Sequence, residues 1–168
     1  MIKKFKPEPT NQTPILVGKY YLFLSHEGHC IGRVDTETEK TEFLQVPIQI
    51  VRKPGSADQT LWDSHIPSNG TNSRGMRTAN DQRSERDGWG HVTAGSPIAV
   101  NDYVFFSTMI GMTYVVDSQA PLFDETALVA INDLGPATES WRLSTVSYAN
   151  GRIFHRDLKQ IVCIGTTD

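Results

Sequence analysis

Apolar residues in this chain fall in short runs of β-branched and aromatic side chains, punctuated along the chain by Gly, Asn or Asp. Pro14-Ile15-Leu16-Val17, Tyr20-Tyr21-Leu22-Phe23-Leu24, Val46 to Val51, Ile98-Ala99-Val100, Tyr103-Val104-Phe105-Phe106, Thr113-Tyr114-Val115-Val116, Ala127 to Ile131, Arg152-Ile153-Phe154 and Ile161-Val162-Cys163-Ile164 all have this form. Runs of that length and composition predict strands, and helical periodicity is almost absent. Val17-Gly18-Lys19, Val100-Asn101-Asp102 and Ala149-Asn150-Gly151 predict tight hairpins, because Gly, Asn and Asp tolerate the positive φ that such turns demand.

The turns belong to copies of one pattern. Thr13–Phe23 lies over Ser96–Phe106, so that Pro14 meets Pro97, Tyr20 meets Tyr103, Phe23 meets Phe106 and Gly28 meets Gly111. Thr145–Phe154 repeats the unit a third time, with Asn150 on Asn101. The first two copies are 83 residues apart and the last two 49. Strand-built repeats of about 40–50 residues predict propeller blades. The longer spacing fits either a degenerate blade in between or a long insert within one blade, and the composition favours the insert. Residues 52–93 are rich in Gly, Ser, Asn, Asp and Arg and contain no further strand-turn-strand copy, so they bury too little apolar area to fold alone. The expected organisation is one all-β domain, a partial β-propeller of antiparallel blades with a long polar insert. A first blade covers about 13–51, the insert 52–93, a second blade 94–143 and an incomplete third blade 144–166.

Composition narrows the function classes. The chain has 168 residues, 38% of them hydrophobic and 21% charged, as in an ordinary globular domain. A formal net charge of −3 lacks the basic excess of a nucleic-acid partner, and the aromatics at 20, 23, 103, 105, 106 and 154 read as blade core. No apolar run approaches the ~18 residues of a membrane helix. Met1-Ile2-Lys3-Lys4 resembles the start of a signal peptide, but the polar Pro7-Glu8-Pro9 follows, so no secretory signal is expected in this chain. Two cysteines, Cys30 and Cys163, are too few for a disulfide scaffold and leave one long-range pair open.

Val34-Asp35-Thr36-Glu37-Thr38-Glu39-Lys40-Thr41-Glu42-Phe43 resembles the repeat signature of the PQQ-like (quinoprotein alcohol dehydrogenase-like) β-propeller superfamily, roughly Asp-x-x-Thr-Gly-Lys-x-x-Trp. Asp35, Thr38 and Lys40 match; Glu39 stands for the glycine and Phe43 for the tryptophan. Ala130-Ile131-Asn132-Asp133-Leu134-Gly135-Pro136 to Trp141 reads as the second copy of this tail, one residue longer. The resemblance covers 13–48 and 94–166. It implies that Asp35 and Thr38 bond to turn backbone and that the aromatic docks its blade on the next. Two units and part of a third are too few for the 4–8 blades of a closed ring. The expected partners are therefore the remaining blades of a longer propeller, or a second chain associating through open edges. The resemblance also points to a periplasmic or other extracytoplasmic setting.

Candidate chemistry is sparse. A quinone-dependent dehydrogenase of this superfamily uses PQQ with calcium, a catalytic Asp and usually a vicinal disulfide, and no adjacent Cys-Cys occurs here. The expectation is no cofactor, with PQQ and calcium implied by the resemblance alone. His26-Glu27-Gly28-His29-Cys30 carries metal-ligand types, but the repeat places it in an exposed hairpin turn whose side chains diverge. The insert contributes Arg83-Ser84-Glu85-Arg86-Asp87-Gly88-Trp89-Gly90-His91. Trp89 suits stacking on a sugar or other planar small molecule and Arg86 an anion, with Asp87 and His91 beside them. Glu85 and Asp87 would serve a propeller-type hydrolase only if they stood across a substrate. Asp63 and His65 lack the Gly-x-Ser-x-Gly serine that a triad of that kind would add. The sequence thus favours a binding or interaction scaffold without its own catalysis over an enzyme.

Overall fold

The computed structural model describes residues 12–25, 29–51, 55–63, 71–76, 95–135, 139, 142 and 144–165. Strands β1 (Ile15–Val17), β2 (Tyr20–Ser25), β3 (Cys30–Asp35) and β4 (Thr41–Gln45) form a first sheet in that order. β5 (Gln49–Val51) and β6 (Gln59–Leu61) pair as a separate ladder. β7 (Ile98–Val100), β8 (Tyr103–Ser107), β9 (Met112–Asp117) and β10 (Leu128–Asp133) form a second four-stranded meander. β11 (Ser147–Ala149), β12 (Arg152–Arg156) and β13 (Ile161–Ile164) form a third sheet of three strands among the described residues. Every pairing is antiparallel.

The hairpins bend at the predicted residues. Gly18 has φ 58°, Asn101 54°, Asn150 51° and Gly151 74°, the left-handed region that Gly and Asn enter at least cost. Each hairpin closes on an equivalent pair: Val17 with Tyr20, Val100 with Tyr103, and Ala149 with Arg152. These pairs number the blades in common and identify which face of each sheet is which. One face, here called forward, carries Tyr20, Leu22 and Leu24 in the first blade, Tyr103, Phe105 and Ser107 in the second, and Arg152, Phe154 and Arg156 in the third. The rear face carries Tyr21 and Phe23, then Val104 and Phe106, then Ile153 and His155, because side chains alternate along a strand.

Burial shows how the blades stack. In the first blade the forward residues Leu22, Leu24 and Ile31 are buried, whereas in the second it is the rear residues Val104, Phe106, Tyr114 and Val116, and all belong to one hydrophobic core. Forward face of one sheet therefore meets rear face of the next. In the third blade the rear residues Ile153 and His155 are buried while Arg152, Phe154 and Arg156 are exposed, so the rule holds again. The middle blade is covered on both sides, and β9 is buried at five consecutive positions, Met112 to Val116. A two-layer sandwich would leave one face of each sheet to solvent. Successive stacking of equivalent faces is the arrangement of propeller blades. The chain is all-β, a partial propeller of antiparallel blades, with β1 and β7 touching as neighbouring innermost strands and no closed barrel among the described residues.

Four expectations change. First, the second copy of the Asp-x-x-Thr tail is not Asn132-Asp133 onward. Asp35 ends β3, with its Oδ1 accepting from the amides of Glu37 (2.9 Å) and Thr38 (3.0 Å). The residue in that place in the second blade is Asp117, whose Oδ1 accepts from the Gln119 amide at 2.9 Å. Thr36 N–H on Lys19 O and Ser118 N–H on Asp102 O close the two loops identically. Asp133 ends β10 and lies one strand further out. Second, among the described residues Phe43 does not dock the first blade on another. It is 38% exposed and meets Phe23 edge-on at 6.3 Å within its own sheet. Third, the strand aromatics are not uniformly core: Phe106 is buried, but Tyr103 and Phe154 are exposed. The run Val46–Val51 also divides, since Pro47 cannot donate to a ladder and only Gln49–Val51 is strand.

Candidate functional site

The insert candidates Glu85, Arg86, Asp87, Trp89 and His91 lie outside the described residues, as do His26, His65 and Trp141. Asp63 is described and exposed, beside an exposed Trp62. Among the described residues no three metal-ligating side chains come together. Cys30 and Cys163 lie in different sheets and form no disulfide with each other, the first half-buried and the second exposed. Burial pushes the Cys30 thiol up from its ordinary value, away from thiolate reactivity.

His29 is the clear departure from expectation. It is buried, not part of an exposed turn, and takes a left-handed φ of 47°. Its Nε2 is 3.0 Å from the Tyr114 hydroxyl, which donates in turn to the Pro47 carbonyl. Since that hydroxyl spends its proton on Pro47, His29 Nε2–H is the donor to it. Burial raises the Tyr114 phenol well above its usual range, so it remains protonated. The imidazole is thereby committed to joining the first blade to the second.

Arg33 completes that junction. It is 2% exposed, yet its guanidinium is fully occupied. Nη1 donates to the carbonyls of Ser118 (3.1 Å) and Ala120 (2.6 Å) in the second blade. Nε and Nη2 donate to Glu42 Oε2 at 3.2 and 2.7 Å. The plane lies against the rings of Tyr20 (4.4 Å) and Phe123 (4.6 Å). A planar guanidinium can satisfy carboxylate, carbonyls and ring faces together, which a lysine could not. The same contacts hold the Glu42 carboxyl below its usual range, chiefly through Arg33.

The second junction is also pinned by an arginine. Buried Arg142 donates from Nε to Thr108 O (3.0 Å), from Nη2 to Thr113 Oγ1 (3.5 Å) and from Nη1 to Nδ1 of buried His155. A guanidinium has no lone pair to give, so His155 accepts. Burial draws Arg142 down to about 10, opposed by the nearby Asp157 charge, and it stays charged at neutral pH. Outside the blades, Glu139 fastens the 71–76 segment to the third. Its carboxylate accepts from Ser73 N (3.1 Å), Ser73 Oγ (2.6 Å) and Lys159 Nζ (2.9 Å). Lys159 and then Ser73 hold its pKa at about 2.

Exposed apolar side chains lie at both ends of the described stack. The rear face of the first blade presents Leu16, Tyr21 and Phe43, with Phe23 behind them. The forward face of the third presents Arg152, Phe154, Arg156, Cys163 and a 72% exposed Ile161.

No protein-family model matches this chain, and neither does any curated protein. Among solved structures it is similar to BamB from Moraxella catarrhalis, at 11% identity and a TM-score of 0.32. The chain spans 43% of that protein's length, with 92% of its own residues covered. A likeness of that size leaves the fold to rest on the sheets themselves.

Sequence reasoning missed Arg33, Arg142, Glu139 and the junction role of His29. A charged residue inside an apolar strand run, as Arg33 is in Ile31-Gly32-Arg33-Val34, was the available signal. Arg142 and Glu139 carry none, because their partners are distant in sequence.

Proposed function

We propose that this chain is a PQQ-like β-propeller repeat segment working as a non-catalytic binding scaffold, whose end blades take up further blades in an extracytoplasmic setting. The observation that carries the reading is the repeated forward-on-rear stacking, which puts a rear face at one end of the described blades and a forward face at the other. Apolar side chains exposed on a sheet face, as Leu16 and Tyr21 are at one end and Ile161 at the other, suit an interaction surface. The Asx turn at Asp35 and its counterpart at Asp117 support the PQQ-like assignment, since that superfamily places an acid at the same turn. The polar insert, with Arg86, Asp87, Trp89 and His91, is the part suited to a small-molecule or carbohydrate ligand. Chemistry within the described residues is spent on junctions, with His29, Tyr114, Arg33, Arg142 and His155 all buried. The test is titration of the purified chain with PQQ and calcium, followed by absorbance and dye reduction. A scaffold gives no bound-quinone band and no turnover; either signal sinks the reading in favour of a quinone-dependent dehydrogenase.

A further inference from the structure

We propose that His155 is a proton-operated latch between the second and third blades. Neutral, it holds Arg142 and keeps the junction shut; protonated in mild acid, it releases Arg142, turns to Asp157 and lets the third sheet lift from the second.

Three buried groups on different segments build the latch. His155 projects from the rear face of β12 and is wholly enclosed. Arg142 Nη1 stands against both ring nitrogens, donating to Nδ1 and lying 3.2 Å from Nε2. Asp157 follows in the turn after β12, with its Oδ2 3.9 Å from Nε2. Oδ1 of that carboxylate accepts from the amides of Lys159 (2.6 Å) and Gln160 (2.7 Å), whereas Oδ2 is buried with no hydrogen-bond partner among the described residues. A buried oxygen of that kind is an exception in folded proteins, and here an imidazole stands beside it.

His155 gives the junction a lone pair. A guanidinium only donates, and an imidazolium has nothing to accept with. A proton on the ring therefore breaks the bond to Arg142 and sets two cations side by side where water screens them poorly. The same proton supplies the donor that Asp157 Oδ2 lacks: a shift of about 1 Å brings Nε2–H to the length of a charge-assisted hydrogen bond. The other described groups around the ring offer no second charge. β13 sets Val162 opposite His155, β11 brings the exposed Tyr148 opposite Ile153, and the second blade brings the hydroxyls of Ser107 and Thr113. Lys159, in the Asp157 turn, is turned to Glu139 at 2.9 Å, and Arg156 is exposed on the forward face. An ordinary imidazole titrates near 6.5. The shut junction holds His155 unprotonated and the open one does not, so the open form binds more protons and closure weakens as pH falls through that region. Glu139, held at about 2, keeps its charge there, so the 71–76 segment stays fastened to the third blade and moves with it.

The experiment is hydrogen exchange on the full chain at about pH 7.5 and about pH 5.5, read by mass spectrometry on β12 and β13, with β2 and β3 as reference and rates corrected for intrinsic exchange. In the wild type, β12 and β13 are expected to lose about tenfold or more of their protection in the acid sample while β2 and β3 keep theirs. His155→Gln offers Arg142 a carbonyl that takes no proton, so its third sheet should stay equally protected at both values. Asp157→Asn keeps the turn acceptor and removes the carboxylate that receives the imidazolium, so its loss should need a lower pH. Unchanged wild-type protection overturns the proposal. So does a His155→Gln chain that loses protection as the wild type does, or an Asp157→Asn chain that loses it at the wild-type pH. If His155→Gln lacks the wild-type far-UV circular dichroism, the imidazole 15N shifts of the wild type decide. Nδ1 should change from acceptor to protonated over the interval in which protection falls, and an Nδ1 that keeps its lone pair down to about pH 5.5 refutes the latch. None of these outcomes touches the scaffold reading, which the quinone titration tests.

Discussion

Glu39 shows how a single backbone angle carries information. It stands where the repeat signature has glycine, and its φ is 59°. A side chain in that region costs roughly 1–2 kcal/mol, offset in part by the greater unfolded-state entropy of glycine. Glu39→Gly should therefore stabilise the fold by up to about 1 kcal/mol, read as a higher urea midpoint at unchanged slope. Gly32 is the reverse case. A Cβ there would lie 2.2 Å from Phe23 Cζ, so the ring occupies the space a side chain would need. Gly32→Ala should cost about 1–3 kcal/mol through overpacking, and Phe23→Leu in the same background should recover part of it. Both effects would appear in equilibrium denaturation.

At the scale of the element, turns and latches depend on ionised carboxylates. Lys19, with a 2.8 Å contact, and then the Thr38 amide hold Asp35 at about 2. Glu139 is held at about 2 by Lys159 and Ser73. Both folded-state values lie below the ordinary ones of 3.8 and 4.5. A depressed acid contributes stability that is present above its unfolded pKa and is lost as pH falls through the folded one. The midpoint of thermal unfolding should thus fall between about pH 4.5 and 2. Asp35→Asn with Glu139→Gln should flatten that fall, and a curve that keeps its wild-type slope would refute the assignment. The Glu139 variant should also speed hydrogen exchange at the Ser73 amide.

For the whole molecule, stability is carried by sheets and by the junctions between them, as in other stacked repeats. Arg33 and Tyr114 span the first junction. Arg33→Met would leave the Ser118 and Ala120 carbonyls and Glu42 Oε2 without their donor, with Lys40 still on Oε1, at a cost of about 2–4 kcal/mol. Tyr114→Phe would strip the Pro47 carbonyl and His29 of a partner, costing about 1–3 kcal/mol. Together they should uncouple the blades, so that the unfolding transition broadens and calorimetric and van't Hoff enthalpies diverge. A double variant that still unfolds in one sharp step would place the coupling elsewhere.

The repeat unit, its hairpin turns and the all-β class were legible from residue order, because strand alternation and positive-φ turns are local. Gly18, Asn101 and Asn150 bend the chain by their own backbone preferences, and Asp35 bonds to amides two and three residues on. Facing was not local. Whether Leu22 or Phe23 points inward, whether His29 is a surface ligand or a buried link, and that Asp117, not Asp133, answers Asp35 follow from which sheet lies against which. Those contacts join residues some 85 positions apart, as Arg33 and Ser118 are. Local order fixes the period of a strand, but its inward phase is set by the neighbour it covers. Tertiary packing alone made that choice.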